Sequence, residues 1–326
     1  MNSSSPTRKN NHERALHHAM PFSASAHRLA LVARQPHHPP QRTPLALWHL
    51  LSLDAPTVAA LWTWFIAHCI GLRLPWTPVA AMFVAVWMLY AADRLLDARA
   101  EASAAELEER HRFHHRHKRA FLTSIAIASI VLAILLHHLD GAALHLQALL
   151  ASLLFAYFFL IHIFPATPLA AETGTHRLPK ELAVGIFFPA AVFVPTVARQ
   201  PHLRALLAPD ALLFAAVCTL NCLFLYAWEH PGKRPFAHWT TRFATGHLAS
   251  LSCITAVLSF TRALLEHRHS PSPIWMLSLA CGYSASLLLL LHTQRRHLAA
   301  IHLRAAADLA LLTPALLVPL ARVFAR

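Results

Sequence analysis

Residues 76–99, WTPVAAMFVAVWMLYAADRLLDAR, decide the fold class of this chain. The first part, residues 76–92, carries no charged side chain and is long enough to cross a hydrocarbon core of about 30 Å as a helix. The run ends in Asp93 and Asp97. Because the backbone must satisfy its own hydrogen bonds inside lipid, the run predicts a transmembrane helix with a charged end.

Similar apolar runs occur along the rest of the chain. They predict an all-α polytopic membrane protein with about nine transmembrane helices. The predicted spans are residues 46–72, 76–92, 120–139, 142–164, 182–198, 211–228, 243–262, 274–292 and 305–321.

The composition agrees with this class. The chain is 56% hydrophobic and only 13% charged, with a mean hydropathy of +0.44, whereas a soluble domain carries about 25% charged residues. The net charge of +13 comes from basic residues between apolar runs, which favours a membrane surface over nucleic acid as the partner. All five cysteines lie in apolar runs and none forms a CxxC pair, so neither a disulfide framework nor a zinc knuckle is indicated.

Two domains are predicted. Residues 1–44 are rich in Ser, Pro, His and Arg and are interpreted as a disordered basic tail, with a transit peptide or a start at Met20 as alternatives. Residues 45–326 form the nine-helix transmembrane domain. With nine spans and a cytoplasmic N-terminus, Lys and Arg favour the cytoplasmic side by about three to one, which supports that orientation.

The first span is the least regular. Residues 52–57, SLDAPT, predict a helix N-terminus with Ser52 or Asp54 as the cap and Pro56 in the first turn. Residues 46–53 would then lie along the membrane interface.

Asp93 and Asp97 are candidate metal ligands. They are four residues apart, so both carboxylates project from one helix face and repel each other. A divalent cation such as Mg²⁺ would relieve that repulsion and keep positions open for phosphate oxygens. The alternative is a helix-end charge cluster in which Asp93 pairs with Arg94 or Arg99.

A second candidate lies at the end of the span over 211–228. Asn221 and Glu229 are eight residues apart, and Leu225 lies midway. A buried amide often marks a site, although a helix–helix hydrogen bond is the alternative. Lys233 and Arg234 follow in a turn that would suit an anion.

Basic residues also precede the span over 182–198. Lys180 opens that helix and Arg177 lies close by. They could hold a diphosphate, or they could be ordinary positive flanking charges.

Together these features resemble the UbiA superfamily of intramembrane prenyltransferases. That family has an NDxxDxxxD motif at the end of helix 2 and a DxxxD-like motif at the end of helix 6. The corresponding positions here are Leu89, Tyr90, Asp93 and Asp97, and then Asn221, Leu225 and Glu229. The chain therefore lacks the leading Asn-Asp pair and keeps one acid of the second motif. The resemblance covers residues 45–326, including KELAVGIFF at the start of helix 5.

The resemblance implies a Mg²⁺-dependent transfer of an isoprenyl group from its diphosphate to a lipophilic, often aromatic, acceptor in a bacterial inner membrane or its equivalent. It assigns Mg²⁺ to Asp93, Asp97 and Glu229, with Asn221 as a neutral ligand. Tyr90 would hydrogen-bond near the leaving group. The residues implied to bind diphosphate are Arg94, Lys180, Lys233, Arg234 and Arg177. The alternative is a non-catalytic lipid-binding or transporter-like protein that kept the fold.

Other polar residues receive structural interpretations. HRFHHRHKR at 111–119 is interpreted as a basic juxtamembrane segment, with a surface Zn²⁺ or Ni²⁺ site as the alternative. Asp308 is expected to pair with Arg304, four residues earlier, and Asp54 to act as a helix cap.

Overall fold

The secondary structure is helical, and the described ranges contain no strand. This confirms the predicted all-α class. The computed structural model describes residues 43–100, 109–163, 179–229, 238–269 and 272–324. The predicted N-terminal tail falls almost entirely outside these ranges.

A single 3₁₀ turn, Pro201–Leu203, precedes α8, and another, Arg295–His297, follows α11. The α-helices are α1 (Pro44–Leu50), α2 (Asp54–Cys69), α3 (Trp76–Ala100), α4 (Glu109–Arg116), α5 (Lys118–His137), α6 (Gly141–Ile163), α7 (Lys180–Arg199), α8 (Arg204–Glu229), α9 (Trp239–Gly246), α10 (Leu248–His269), α11 (Trp275–Gln294), α12 (Ala300–Leu309) and α13 (Pro314–Phe324).

Seven helical segments of the described chain are long and apolar enough to cross a membrane. The bent pair α1–α2 makes an eighth candidate, and the apolar helix Gly141–Tyr157 is shorter. The chain is therefore a polytopic helical membrane protein. The seven segments are Trp76–Asp97, Lys118–His137, Glu181–Arg199, Pro201–Glu229, Leu248–His269, Trp275–His297 and Ala300–Pro319.

The region predicted as one span over 46–72 is bent by 89° between α1 and α2. Ser52 lies in the connecting turn with a φ of 58°. The N-cap residue of α2 is Leu53, which makes no side-chain capping bond. The N-cap residue is therefore neither Ser52 nor Asp54, contrary to the prediction. Asp54 is the first residue of α2, and its side chain accepts a hydrogen bond from the first-turn N–H of Ala55. Pro56 does lie in the first turn, as predicted.

The region predicted as a span over 305–321 is also interrupted. It divides into α12 and α13, and Pro314 begins the second helix. The residue before a proline is disfavoured in the helical conformation, which explains a break at this point. The carbonyl of Leu311, inside the break, accepts a hydrogen bond of 2.8 Å from Nε1 of Trp62. A backbone group freed by the break is thus satisfied inside the bundle.

The core is built around α2, α8 and α11. Trp62 is fully buried and its ring stacks on Phe214 at a centroid distance of 4.0 Å. Met276 and Leu277 of α11 are also fully buried. By contrast, α5 and α6 carry many exposed apolar side chains, as expected for helices that face lipid.

Helices α7 and α8 pack closely at Gly185. A Cβ atom at this position would lie 1.8 Å from Oγ1 of Thr219 and 3.3 Å from the carbonyl oxygen of Ala215. Small residues at helix interfaces let backbones approach closely in membrane proteins. Gly185 therefore sets the distance between α7 and α8, the helix that carries Asn221.

Candidate functional site

Polar side chains gather where the bend between α1 and α2 meets α3, α8 and α12. Polar groups inside a membrane protein are costly and commonly mark a functional site. Each member of this group is within hydrogen-bond distance of another member. We call the group the polar centre, and its members are His49, Ser52, Asp54, Arg94, His114, Asn221 and Asp308.

The bend supplies the first pair of the polar centre. His49 is in the last turn of α1 and Asp54 is the first residue of α2, so the turn between them brings their side chains together. Nδ1 of His49 lies 2.5 Å from Oδ2 of Asp54. Each residue is only 1% exposed. The other carboxylate oxygen of Asp54 accepts a hydrogen bond from the backbone N–H of Ala55.

Helix α3 stabilises the bend from one side. Nη1 of Arg94 donates to the carbonyl of His49 at 2.6 Å, and Nε1 of Trp87 donates to the carbonyl of Leu51 at 3.1 Å. These carbonyls belong to the end of α1, and that of His49 also accepts a hydrogen bond from the backbone N–H of Ser52. Because Trp87 and Arg94 are two helical turns apart, they act from one face of α3.

Arg94 is the positively charged member that binds the bend directly. Its guanidinium donates to Oγ of Ser52 at 3.0 Å and to Oδ2 of Asp54 at 3.1 Å. The residue is 5% exposed. The predicted role of Arg94 as a diphosphate ligand would require exchange of these bonds, and it stays a prediction.

Ser52 links the bend to α4. Its positive φ is uncommon for a residue other than glycine and often accompanies a functional or tightly constrained position. Its Oγ lies 3.1 Å from Nε2 of His114, which is fully buried and stacks on Phe121 at 4.1 Å. Within the basic segment 111–119, His114 therefore has a structural contact inside the protein. Several neighbours are exposed, including Arg112, His115 and Arg116.

Asn221 and Asp308 form the other half of the polar centre. Nδ2 of Asn221 donates to Oδ1 of Asp308 at 2.9 Å. The second oxygen of Asp308 lies 3.9 Å from Nδ1 of His49. The predicted helix–helix hydrogen bond of Asn221 is present, and its partner is a carboxylate.

The expected pair between Arg304 and Asp308 is wrong. Arg304 instead donates to the carboxylate of Glu229 at the end of α8. This pair joins α12 to α8 and leaves Asp308 to Asn221. Glu229, predicted as a metal ligand, therefore has one oxygen engaged by a guanidinium.

One group of three His, Cys, Asp or Glu residues in the described part of the chain has the spacing of a metal site. It consists of His49, Asp54 and Asp308, whose ligand atoms all lie within 4.8 Å of one another. The group does not include the predicted ligands Asp93, Asp97 and Glu229.

Asp93, Asp97 and Tyr90 all lie half-buried on α3. Tyr90 packs against the hydrophobic core. Two carboxylates one helical turn apart are the type of ligand that Mg²⁺ binds, since this ion takes few carboxylates and keeps several waters. Glu229 suits it less well, because Arg304 binds its carboxylate. The metal-binding role of these acids stays a prediction.

The predicted basic ligands lie at or beyond the edges of the described chain. Lys180 is the first residue of α7, as predicted. Arg177, Lys233 and Arg234 fall outside the described residues.

Sequence analysis missed His49 and assigned only local roles to Asp54 and Asp308. The available signal was the occurrence of His49, Ser52 and Asp54 within six residues of an otherwise apolar run. The other signal was Asp308 within a segment rich in alanine and leucine.

Comparison with known proteins returns no match to any protein-family model, curated protein or solved structure. Two members of the polar centre, Arg94 and Asn221, lie on the helices that carry the predicted motifs.

Proposed function

We propose that the chain crosses the membrane nine times, with its N-terminus in the cytoplasm of a bacterial cell. Support comes from the distribution of Lys and Arg. In this topology the bent pair α1–α2 and the short apolar part of α6 each count as one span beside the seven long segments. Reporter fusions at the loops after α3 and α6 test the assignment, which requires both loops to be cytoplasmic.

We propose that the protein is a UbiA-like prenyltransferase. The observation that carries the proposal is the meeting of α3 and α8 at one polar centre. Arg94 of α3 binds Asp54, Asn221 of α8 binds Asp308, and His49 lies against both acids. These are the two helices whose ends resemble the family motifs.

In this proposal the reaction breaks the bond between the allylic carbon and the diphosphate oxygen, and the isoprenyl group joins an acceptor carbon that then loses a proton. Asp93 and Asp97 would hold Mg²⁺, which when bound neutralises charge on the departing diphosphate. Tyr90 would donate a hydrogen bond near the leaving group. Lys180, Lys233, Arg234 and Arg177 would bind phosphate oxygens.

The polar centre has a positioning role in the proposal. The bonds from Arg94 to the bend hold α3 against α1 and α2. Asp93 and Asp97 lie within one helical turn of Arg94 on α3. In the proposal, these bonds therefore also fix how far α3 extends along the bundle and which way the two carboxylates face. A buried ion pair of this kind serves geometry more than net stability.

Binding of geranylgeranyl diphosphate to the purified protein in lipid nanodiscs tests the proposal. We expect Mg²⁺-dependent binding that weakens at least about tenfold in Asp93→Asn and in Asp97→Asn, since each change removes a charged ligand. Asp140→Asn is the matched control, because Asp140 pairs with Arg199 at a partly exposed site. Binding that ignores both Mg²⁺ and the α3 substitutions would contradict the enzyme proposal.

A second candidate function, a transporter-like or lipid-binding protein, is favoured by one specific observation. The helix broken at 51–53 has its break at the polar centre, and broken helices that expose backbone to a polar site are typical of transporters. This candidate requires ligand binding that survives Asp93→Asn and Asp97→Asn but is lost on substitution of Asp54.

A further inference from the structure

We infer that the polar centre is a binding site for one divalent transition-metal ion of the Zn²⁺ class. Its ligands are Nδ1 of His49, the carboxylates of Asp54 and Asp308, and Oδ1 of Asn221. The inference rests on the geometry of these side chains and does not depend on the proposed prenyltransferase activity.

The first argument is the spacing of the ligand atoms. Nδ1 of His49 lies 2.5 Å from Oδ2 of Asp54 and 3.9 Å from Oδ2 of Asp308, and the three groups fit within 4.8 Å. Metal bonds of about 2.0–2.2 Å hold neighbouring ligand atoms roughly 3–4 Å apart. An ion would therefore fit if Nδ1 of His49 and Oδ2 of Asp54, now 2.5 Å apart, moved slightly away from each other.

The second argument is an unpartnered oxygen beside these ligands. Asn221 is 6% exposed and its Oδ1 has no hydrogen-bond partner. The carboxylate of Asp308 accepts a hydrogen bond from Nδ2 of Asn221, which sets the orientation of the amide. The other atom of the amide, Oδ1, is the one without a partner. A buried acceptor without a partner costs about 1–3 kcal/mol. Because Nδ2 of the same amide contacts the carboxylate of Asp308, this oxygen belongs to the side chain next to the proposed ligands, and we infer that it completes the ligand set.

The third argument is the charge of the polar centre. When both are ionised, Asp54 and Asp308 carry two negative charges, and Arg94 carries one positive charge. With both histidines neutral, one negative charge remains without compensation in a low-dielectric interior, which is unfavourable. A bound divalent ion would change this sum from one negative to one positive charge. It would also place a cation in direct contact with both carboxylates and use His49 in the neutral form that coordinates metals.

The ligand set selects the class of ion. Mg²⁺ prefers an octahedron of oxygen atoms that includes several waters. An imidazole nitrogen combined with carboxylate and amide oxygens suits Zn²⁺ and neighbouring first-row ions better. Arg94, through Nη2, and the N–H of Ala55 bind the carboxylate of Asp54 from outside and would orient it as a ligand.

The test is a titration of the purified full-length chain, without a histidine tag, with Co²⁺ as an absorbing substitute for Zn²⁺. We expect one tight equivalent that Zn²⁺ displaces and Mg²⁺ does not. His49→Gln and Asp308→Asn should weaken it at least about 100-fold, since each removes a direct ligand. A tight equivalent unchanged in both variants, or no tight equivalent in the wild type, would overturn the inference.

The control addresses the other histidines, because the chain contains 26 of them. His202→Ala and the double variant His137→Ala, His138→Ala change exposed histidines that belong neither to the polar centre nor to α4. We expect them to remove only weak additional binding. Loss of the tight equivalent in these controls, with retention in His49→Gln, would assign the metal to the surface and overturn the inference.

A measurement on the wild type keeps the test decisive if the variants do not fold. X-ray absorption of the zinc-loaded protein should show a first shell of one imidazole nitrogen with oxygen ligands. A shell with two or more imidazoles, or with sulfur, would exclude this ligand set. Neither measurement involves an isoprenyl diphosphate, so failure here is distinguishable from failure of the proposed function.

Discussion

Asn221 of α8 and Asp308 of α12 are 87 positions apart in the sequence and are joined by a hydrogen bond of 2.9 Å. This bond joins α8 to α12 in one half of the polar centre. In the other half, Arg94 joins α3 to the bend between α1 and α2. His49 lies between the two halves, beside both carboxylates. The interior of the bundle is therefore organised by polar contacts between the first, second, third, fourth, eighth and twelfth helices.

Arg94→Met should destabilise the protein strongly. The substitution leaves the carboxylate of Asp54 buried without its guanidinium partner and removes the donor to the His49 carbonyl. Loss of one partner of a buried ion pair costs about 3–5 kcal/mol. Thermal unfolding in detergent, followed by loss of the monodisperse size-exclusion peak, measures the effect.

Arg199→Met is the matched control for Arg94→Met. Arg199 pairs with Asp140 at a site where the Asp140 side chain is 52% exposed. Pairs of this type contribute about 0–1 kcal/mol. Equal losses of thermal stability in the two variants would show that Arg94 is not part of a buried ion pair.

Ser52→Gly and Ser52→Ala separate the strain at Ser52 from its hydrogen bonds. Both changes remove the hydroxyl that contacts Arg94 and His114. Glycine alone adopts a φ of 58° without steric cost. We therefore expect Ser52→Ala to be less stable than Ser52→Gly by about 1 kcal/mol, measured by the same thermal assay. The reverse order would mean that the bend does not hold Ser52 in the left-handed region.

The sequence was sufficient to predict the helical class, because apolar runs of this length have few alternatives inside lipid. It also located Arg94 and Asn221 in polar positions on two separate helices. It predicted neither the angle at Ser52 nor the ion pair between Glu229 and Arg304. Both depend on contacts between segments far apart in the chain, which local periodicity does not encode.

Asp54 and Asp308 show why local interpretation failed. Each had an acceptable partner nearby in the sequence, a helix N-terminus for Asp54 and Arg304 for Asp308. In the folded chain Arg304 is held by Glu229, and Asp54 faces His49 and Arg94. A tertiary partner therefore replaced the local one for Asp308, whereas Asp54 keeps a bond to the N–H of Ala55 and gains Arg94. Only the folded arrangement brings the two acids to one histidine.

Glu229→Gln and Arg304→Gln should be non-additive. Each single change removes the same ion pair between α8 and α12, so the double variant should be about as stable as the less stable single variant. Residues in direct contact show coupling energies of about 0.5–3 kcal/mol. A double-mutant cycle by thermal unfolding measures the coupling. Additive effects would indicate that Glu229 acts through some other partner, such as the metal ion predicted from the sequence.

Gly185→Ala should destabilise the contact between α7 and α8. The new Cβ would lie 1.8 Å from Oγ1 of Thr219 and 3.0 Å from its Cβ. To move away, the Thr219 side chain would have to change its χ1 rotamer, and its hydroxyl now donates to the carbonyl of Ala215 at 2.8 Å. Overpacking of this kind costs about 1–3 kcal/mol.

The partner substitution and a second glycine test the cause of that loss. Thr219→Ala removes the closest atom, so the double variant Gly185→Ala, Thr219→Ala should recover most of the lost thermal stability. Gly141→Ala serves as the control, since a Cβ at Gly141 would meet nothing within 4 Å. We expect it to be neutral or slightly stabilising. If Gly185→Ala were equally neutral, α7 and α8 would be farther apart than the structure places them, and the position of Asn221 in the polar centre would need revision.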